Sequence, residues 1–257
     1  MILQISINLA LAGYKRLNPI YAYTFFLLTF LQINAQETAP LIKVDHLPII
    51  VKDLKSAERK LLKQGFTIKP GYKHKNGITN SHIKFADSTA LEIISISKPS
   101  DEISRSYQKF LEDDEGGTFL SFRINDFNSV KSVLEKNKIE FKILSTKVFN
   151  YIIFSKPELQ HIFFIYYKNE LKDESLFTTH LNNSLSIAEI VITGDDSLIN
   201  LFDLFGGKLK FENTFRFGKV TVTVKKNNAK PFRVLSAKII NSSKELKEFN
   251  MQTIELY

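Results

Sequence analysis

The 257-residue chain contains no cysteine. That absence removes disulfides, thiol nucleophiles, cysteine-held iron–sulfur clusters and zinc, and lipid attachment through a thiol. Any metal must then be held by His, Asp or Glu, and only five histidines are available: His46, His74, His82, His161 and His180. Other catalytic signatures are missing too. There is no glycine-rich phosphate loop, no Gly-x-Ser-x-Gly elbow and no His-Glu-x-x-His helix. No basic stripe with interleaved aromatics is present. Lys225, Lys226 and Lys230 form only a local group that reads as a solvated turn, so nucleic acid is not an expected partner. Asp113, Asp114 and Glu115 read as an exposed helix end rather than an acid–base pair.

What is present is an ordinary globular composition, 44% hydrophobic and 24% charged, on a chain long enough to bury a core. The net charge of +8 is unevenly spread, because the first 36 residues hold Lys15 and Arg16 and no acid. These two residues precede the apolar run Ile20–Ile33, which is too short to span a bilayer comfortably and suits the core of a signal peptide. The expectation is a signal peptide over residues 1–35, cut between Ala35 and Gln36, with the mature part exported to the periplasm or beyond and no membrane span after cleavage. An uncleaved N-terminal anchor is the competing reading.

Three stretches share one layout: Val44–Ile68, Thr118–Ile143 and Ile187–Phe211. Each opens with a strand rich in β-branched and aromatic residues and reaches an Asp (Asp53, Asp126, and Asp195 or Asp196) able to accept the free N–H groups of a helix start. Apolar residues then recur at helical spacing: Leu54, Ala57, Leu61 and Leu62; Phe127, Val130, Val133 and Leu134; Leu198, Leu201, Phe202 and Phe205. Further strand-like segments follow each helix. In the third stretch they are Phe211–Phe215, Lys219–Val224 and Phe232–Ile240. The unit therefore reads βαβββ. One helix covers one face of a small sheet, and a second copy alongside extends the sheet. The expected fold class is α+β: paired βαβββ modules over residues 41–168 forming a half-open barrel with a concave cleft, and a third, divergent module over 184–257. An extra helix, capped by Ser100 and carrying Ile103, Tyr107, Phe110 and Leu111 on one face, is expected between the first two modules.

Strand alternation assigns faces. Leu47, Ile49 and Val51, with Leu120, Phe122 and Ile124, are expected to face the helices. His46, Pro48 and Ile50, with Phe119, Ser121 and Arg123, are expected to face the cleft. Phe119 is placed opposite His46, since each lies seven residues before its Asp. In the closing strands Ala90, Glu92 and Ile94, and His161, Phe163 and Ile165, also fall on the cleft side.

The segment Asp45–Phe66 followed by Leu91–Ser95 resembles the glyoxalase-like family of the vicinal oxygen chelate superfamily. Lys73–Phe85 is similar to its second-strand motif, at His74, Gly77, Thr79 and Asn80, with Ile78 displaced relative to the usual Gly-Thr pair. Thr179–Ile187 resembles a segment introducing a third module in some members. The resemblance implies a divalent ion (Zn, Ni, Mn or Fe) held by His and Glu from the first and last strands of the paired modules. There it would act as a Lewis acid on a small oxygenated molecule in lyase, isomerase or dioxygenase chemistry. His46 and Glu92 match two of the four ligand positions, whereas the other two fall on Phe119 and Phe163, which cannot bind metal. Two readings follow: a metal site on His46 and Glu92, or His46 hydrogen-bonded to Glu92 in a metal-free small-molecule binding module. Arg123 and His161 are the candidates to orient a ligand, with Phe119 and Phe163 lining the cleft and His74 and Asn80 shaping its rim. Arg123 could equally form a salt bridge, and His161 a satisfied strand histidine.

Overall fold

The structure, a computed structural model, describes residues 41–169, 172–227 and 232–257. The signal-peptide expectation falls on residues outside this set. Asp53, Asp126 and Asp195 each accept backbone N–H groups at a helix start, as the repeat required. The first module runs β1 (Ile42–Ile50), α1 (Leu54–Lys63), β2 (Lys69–Lys73), β3 (Ile78–Lys84) and β4 (Ala90–Ile96). Gly77 turns the chain between β2 and β3 at φ +90°, where a Cβ would meet the Ser97 carbonyl oxygen at 2.1 Å. α2 (Glu102–Asp113) and the short β5 (Gly116–Gly117) lead into the second module. That module comprises β6 (Leu120–Ile124), α3 (Phe127–Lys136), β7 (Phe141–Ser145), β8 (Phe149–Phe154) and β9 (Ile162–Tyr167). The cap of α2 is Asp101 in a reciprocal box with Ser104, rather than Ser100.

In both modules the first and last strands pair in parallel, β1 with β4 and β6 with β9, and β1 pairs antiparallel with β6. The strand order β2-β3-β4-β1-β6-β9-β8-β7 is that of the expected half-open barrel. After a short α4 (Ser175–Thr178), the third unit repeats the pattern with β10 (Ser184–Gly194), α5 (Asp196–Phe205), β11 (Gly207–Lys208), β12 (Thr214–Phe217) and β13 (Val220–Lys226). Its closing strand is β13, parallel to β10, and not Phe232–Ile240. The latter segment supplies β14 (Val234–Asn241), which pairs antiparallel with the other edge of β10, as β6 does with β1. It continues into β15 (Leu246–Asn250) and β16 (Glu255–Leu256). The alternating pattern of Phe232–Ile240 fits either position, because a period of two carries no information about which neighbour a strand takes.

Alternation places the core as expected. Leu47, Ile49, Val51, Leu120, Phe122 and Ile124 are buried in one apolar cluster that also takes in α5 and the inward faces of β10, β12 and β13. A smaller cluster lies on the opposite face, where Leu111, Tyr107 and Phe110 of α2 pack over Ile50, Ile78 and Ile94. Ile103, expected on the same stripe, is exposed. Phe122 is the hinge of the larger core. Its fully buried ring meets Phe164 of β9 at 5.7 Å, Phe202 of α5 at 5.5 Å and Phe217 of β12 at 4.7 Å. Phe122→Ala should therefore destabilise the whole chain by about 3–5 kcal/mol. Denaturant unfolding should show one shifted transition rather than separate loss of the third unit.

Candidate functional site

The cleft has two walls and a floor. One wall is β3 and β4, with Asn80, His82 and Glu92 directed inward. The floor is the β1–β6 seam, with His46 and Arg123. The second wall is β8 and β9, with Tyr151, Phe163 and Tyr167. α2 closes one end, where Tyr107 packs on Phe119 at 4.8 Å.

His46 and Glu92 do meet. His46 Nε2 lies 3.2 Å from Glu92 Oε2, and the side chains are 15% and 17% exposed. The other ring nitrogen is also committed, because His46 Nδ1 donates to Asp45 Oδ2 at 2.7 Å. Asp45 was not anticipated from the sequence. Alternation assigns it to the helix side, but the register of β1 against β6 shifts between Val44 and His46. The bulge brings Asp45 into contact with cleft-side groups. There its carboxylate also accepts Arg123 Nε–H at 2.7 Å and the Tyr167 hydroxyl at 2.8 Å. The Arg123 guanidinium lies 4.4 Å from the Tyr167 ring centroid. Arg123 thus forms the salt bridge weighed for it.

Glu92 is bonded as fully. Asn80 Nδ2 donates to its Oε1 at 2.6 Å, and His82 Nε2 stands 3.7 Å from the same oxygen. His82 pairs across the strands with Glu92, a placement for which the only sequence signal is that it shares parity with Asn80. Burial opposes the charge on each member of the group, and pairing overrides it in three of them. Hydrogen bonds from His46, and the positive charges of His46 and Arg123, hold the Asp45 carboxyl far below the usual range. Bonds from His46 and Asn80 hold Glu92 at about 2. His46, bonded to both carboxylates, is raised to about 9. Burial dominates at His82, with help from Lys84, His46 and Lys69, and lowers it to about 4.

The remaining sequence candidates separate. Phe163 is in the group, its ring 5.6 Å from that of His46 and 6.3 Å from that of Tyr151. Phe119 is displaced toward the closed end. The register sets Ser121, and not Phe119, across from His46. The Ser121 hydroxyl is buried without a hydrogen-bond partner. His161 also sits at the closed end, donating to the Thr118 carbonyl at 3.0 Å and stacked on Phe232 at 5.4 Å, away from His46. His74 is exposed in the β2–β3 turn beside Tyr72 and does not join the cluster. A cavity of about 620 Å³ lies elsewhere, where Gly116 and Gly117 meet the ends of β10 and β13 and the start of β14. Its cations are largely engaged, Lys226 with Asp196 at 2.7 Å and Arg233 over Phe110.

A glyoxalase-like domain family matches residues 44–198. The chain belongs to that family. The vicinal oxygen chelate resemblance drawn from Asp45–Phe66 and its partner strands is thereby established. A hypothetical protein from Staphylococcus aureus is similar in structure, with TM-score 0.63 and 12% identity over 84% of this chain and 97% of that one. A variant of 4-hydroxymandelate synthase from Streptomyces coelicolor aligns at TM-score 0.51 and 9% identity over 78% and 71%. Methylmalonyl-CoA epimerase from Mycobacterium tuberculosis aligns at 0.40 and 18% identity over 51% and 92%. No curated protein matches. No helix among the described residues is long and apolar enough to cross a membrane.

The family implies a divalent ion in the cleft, and the donors present here do not fit one. Catalytic divalent sites usually take three protein ligands. Among the described residues no group of three His, Asp or Glu side chains is placed to hold an ion. Both His46 nitrogens point at carboxylates, so both must carry protons, which leaves the ring no lone pair to give a metal. From the second module the floor offers Ser121 and the wall Phe163.

His46 should therefore be an imidazolium at neutral pH. Heteronuclear spectra of ring-labelled protein at pH 7.5 should show both nitrogens protonated, with titration near 9. Stability follows with a definite sign. The raised His46 pKa contributes stability that is complete below its unfolded value of about 6.5 and is lost as pH climbs through 9. The lowered Glu92 pKa contributes stability that is complete above 4.5 and is lost toward 2. The melting-temperature advantage of wild type over His46→Gln should thus shrink steadily from pH 6.5 to 9.

Proposed function

We propose that this is an exported glyoxalase-like protein whose cleft binds a small oxygenated organic molecule without using a metal. The observation that carries the reading is the double engagement of His46 by Asp45 and Glu92. In this reading the charge that a bound cation would bring to the cleft floor is supplied by the imidazolium and by Arg123. The aromatic wall supplies apolar contact area. The hydroxyls of Tyr107 and Tyr151, which have no hydrogen-bond partner among the described residues, supply donors for a ligand oxygen. Export rests on Lys15, Arg16 and the apolar run Ile20–Ile33.

The decisive experiment is metal analysis of purified protein after exposure to Zn, Ni, Mn and Fe, repeated on His46→Ala and Glu92→Ala. Substoichiometric metal in all three proteins is expected. One tightly held ion in wild type, lost in both variants, would restore the metal-enzyme reading and sink this one. A thermal-shift screen of small oxygenated compounds should find ligands whose effect falls about tenfold in concentration dependence with Phe163→Ala. Export is tested separately, by sequencing the N-terminus of protein recovered from outside the cytoplasm. Gln36 is the expected first residue, and recovery of intact chain from the cytoplasm alone would refute the address.

A further inference from the structure

The ligand class can be argued further from the charges that face the cleft, taking the cleft itself to be the binding site as proposed above. On the floor they cancel, with Asp45 and Glu92 against His46 and Arg123. At the rim they do not. Lys69 lies across from His82 in the strand register, and Lys84 lies two residues along from His82 on the same side of β3. Both lysines lean on a single acid, Asp173. Lys69 is hydrogen-bonded to it, whereas Lys84 Nζ stays 3.7 Å away, beyond hydrogen-bond length.

Hydrogen-bond capacity is skewed the same way. The cleft acceptors are already served: Asp45 by three donors, and Glu92 by Asn80 and His46. The cleft groups without a hydrogen bond among the described residues can all donate: the Ser121, Tyr107 and Tyr151 hydroxyls, and the Lys84 ammonium, which makes only an ion pair to Asp173 at 3.7 Å. Beside them lies a sheet of rings: Phe163 stands 5.6 Å from His46, 6.3 Å from Tyr151 and 6.5 Å from Phe119.

We propose that the cleft takes a small planar organic acid, a monoanionic carboxylate carried on an aromatic or conjugated body. The carboxylate lies toward Lys84, which shares the single acid Asp173 with Lys69 and makes no hydrogen bond to it. The flat body lies against Phe163 and Tyr151. A neutral ligand leaves the Lys84 charge unused, and a cation meets net repulsion from Lys69 and Lys84, which share one acid.

Three probes of one shape and different charge test this: 2-naphthoate, 2-naphthol and 2-naphthylmethylammonium. Each is titrated into the purified full chain by calorimetry while the Phe and Tyr ring signals are followed by NMR. Naphthoate should bind about tenfold more tightly than either analogue, move the Phe163 and Tyr151 signals, and weaken as salt is added. Lys84→Gln should abolish the preference and Lys84→Arg should retain it. If naphthol binds in the cleft as tightly as naphthoate, the acid class is overturned and the cleft reading survives. If the preference persists unchanged in Lys84→Gln, the placement of the carboxylate is wrong. If no probe moves Phe163 or Tyr151, the acid class and the cleft reading both fail.

Discussion

The antiparallel seam between β1 and β6 is the constraint on which the cleft depends. It joins two modules that each carry a helix on one face only, and so creates the shared concave face. Its register also decides which side chains meet there. Val44 pairs with Phe122 and His46 with Ser121, which forces one extra residue into β1. That residue is Asp45. Without the bulge, alternation would send its carboxylate into the apolar layer of Val44, Leu47 and Phe122, where it would have no partner. With the bulge it accepts three hydrogen bonds, from His46, Arg123 and Tyr167. A local departure from the pleat thus converts an unaffordable buried acid into the anchor of the floor.

The network built on that anchor is not a general stabiliser. Taking several charges out of water costs free energy that mutual attraction only partly returns, and an apolar replacement of similar shape is often as stable. What the network gives is definition. Asp45 orients the His46 ring through Nδ1, Glu92 takes Nε2, Asn80 fixes Glu92, and Arg123 is held both by Asp45 and flat against Tyr167. Each group has one well-matched arrangement, and removing any one strands a charge. This interdependence holds His46 and Glu92 together directly. The imidazolium already answers both carboxylates.

Much of this was legible in the sequence because it follows short-range rules. The Asp caps marked the helix starts. Period-two alternation sorted Leu47, Ile49 and Val51 from His46 and Ile50, and put Glu92, Phe163 and Arg123 on the cleft side. The family resemblance singled out His46 and Glu92 as partners. What was missed depends on register and long-range pairing. Asp45 is invisible to alternation because a bulge inverts it. Phe119 was set opposite His46 by counting from the caps, whereas the antiparallel crossing brings Ser121 there. His82 and Tyr167 gain their roles only from neighbours on other strands. The alternation of Phe232–Ile240 identifies a strand without saying which edge it joins. His74 matched a motif by spacing, yet the Gly77 turn leaves it in solvent.

The third unit buries its apolar face on the side away from His46. A βαβββ sheet has a helix-covered face and an open face, and the third unit turns its helix side toward the helix side of the second. Phe202 and Phe205 of α5 pack on Phe122 and Phe164, so the helix layers merge into one core. Burial is satisfied on the convex side, away from His46. From the later half of the chain, Phe232 meets His161 and Arg233 meets Phe110, both at the closed end. Those contacts cap the end already narrowed by α2. The extra mass of the third unit therefore supports the cleft from behind. At the closed end that unit meets the cleft through the Phe232–His161 stack, Arg233 over Phe110 and the pairing of Val234 with Gly117. Any influence of the third unit on ligand affinity would pass through the rigidity of the shared core or through those contacts.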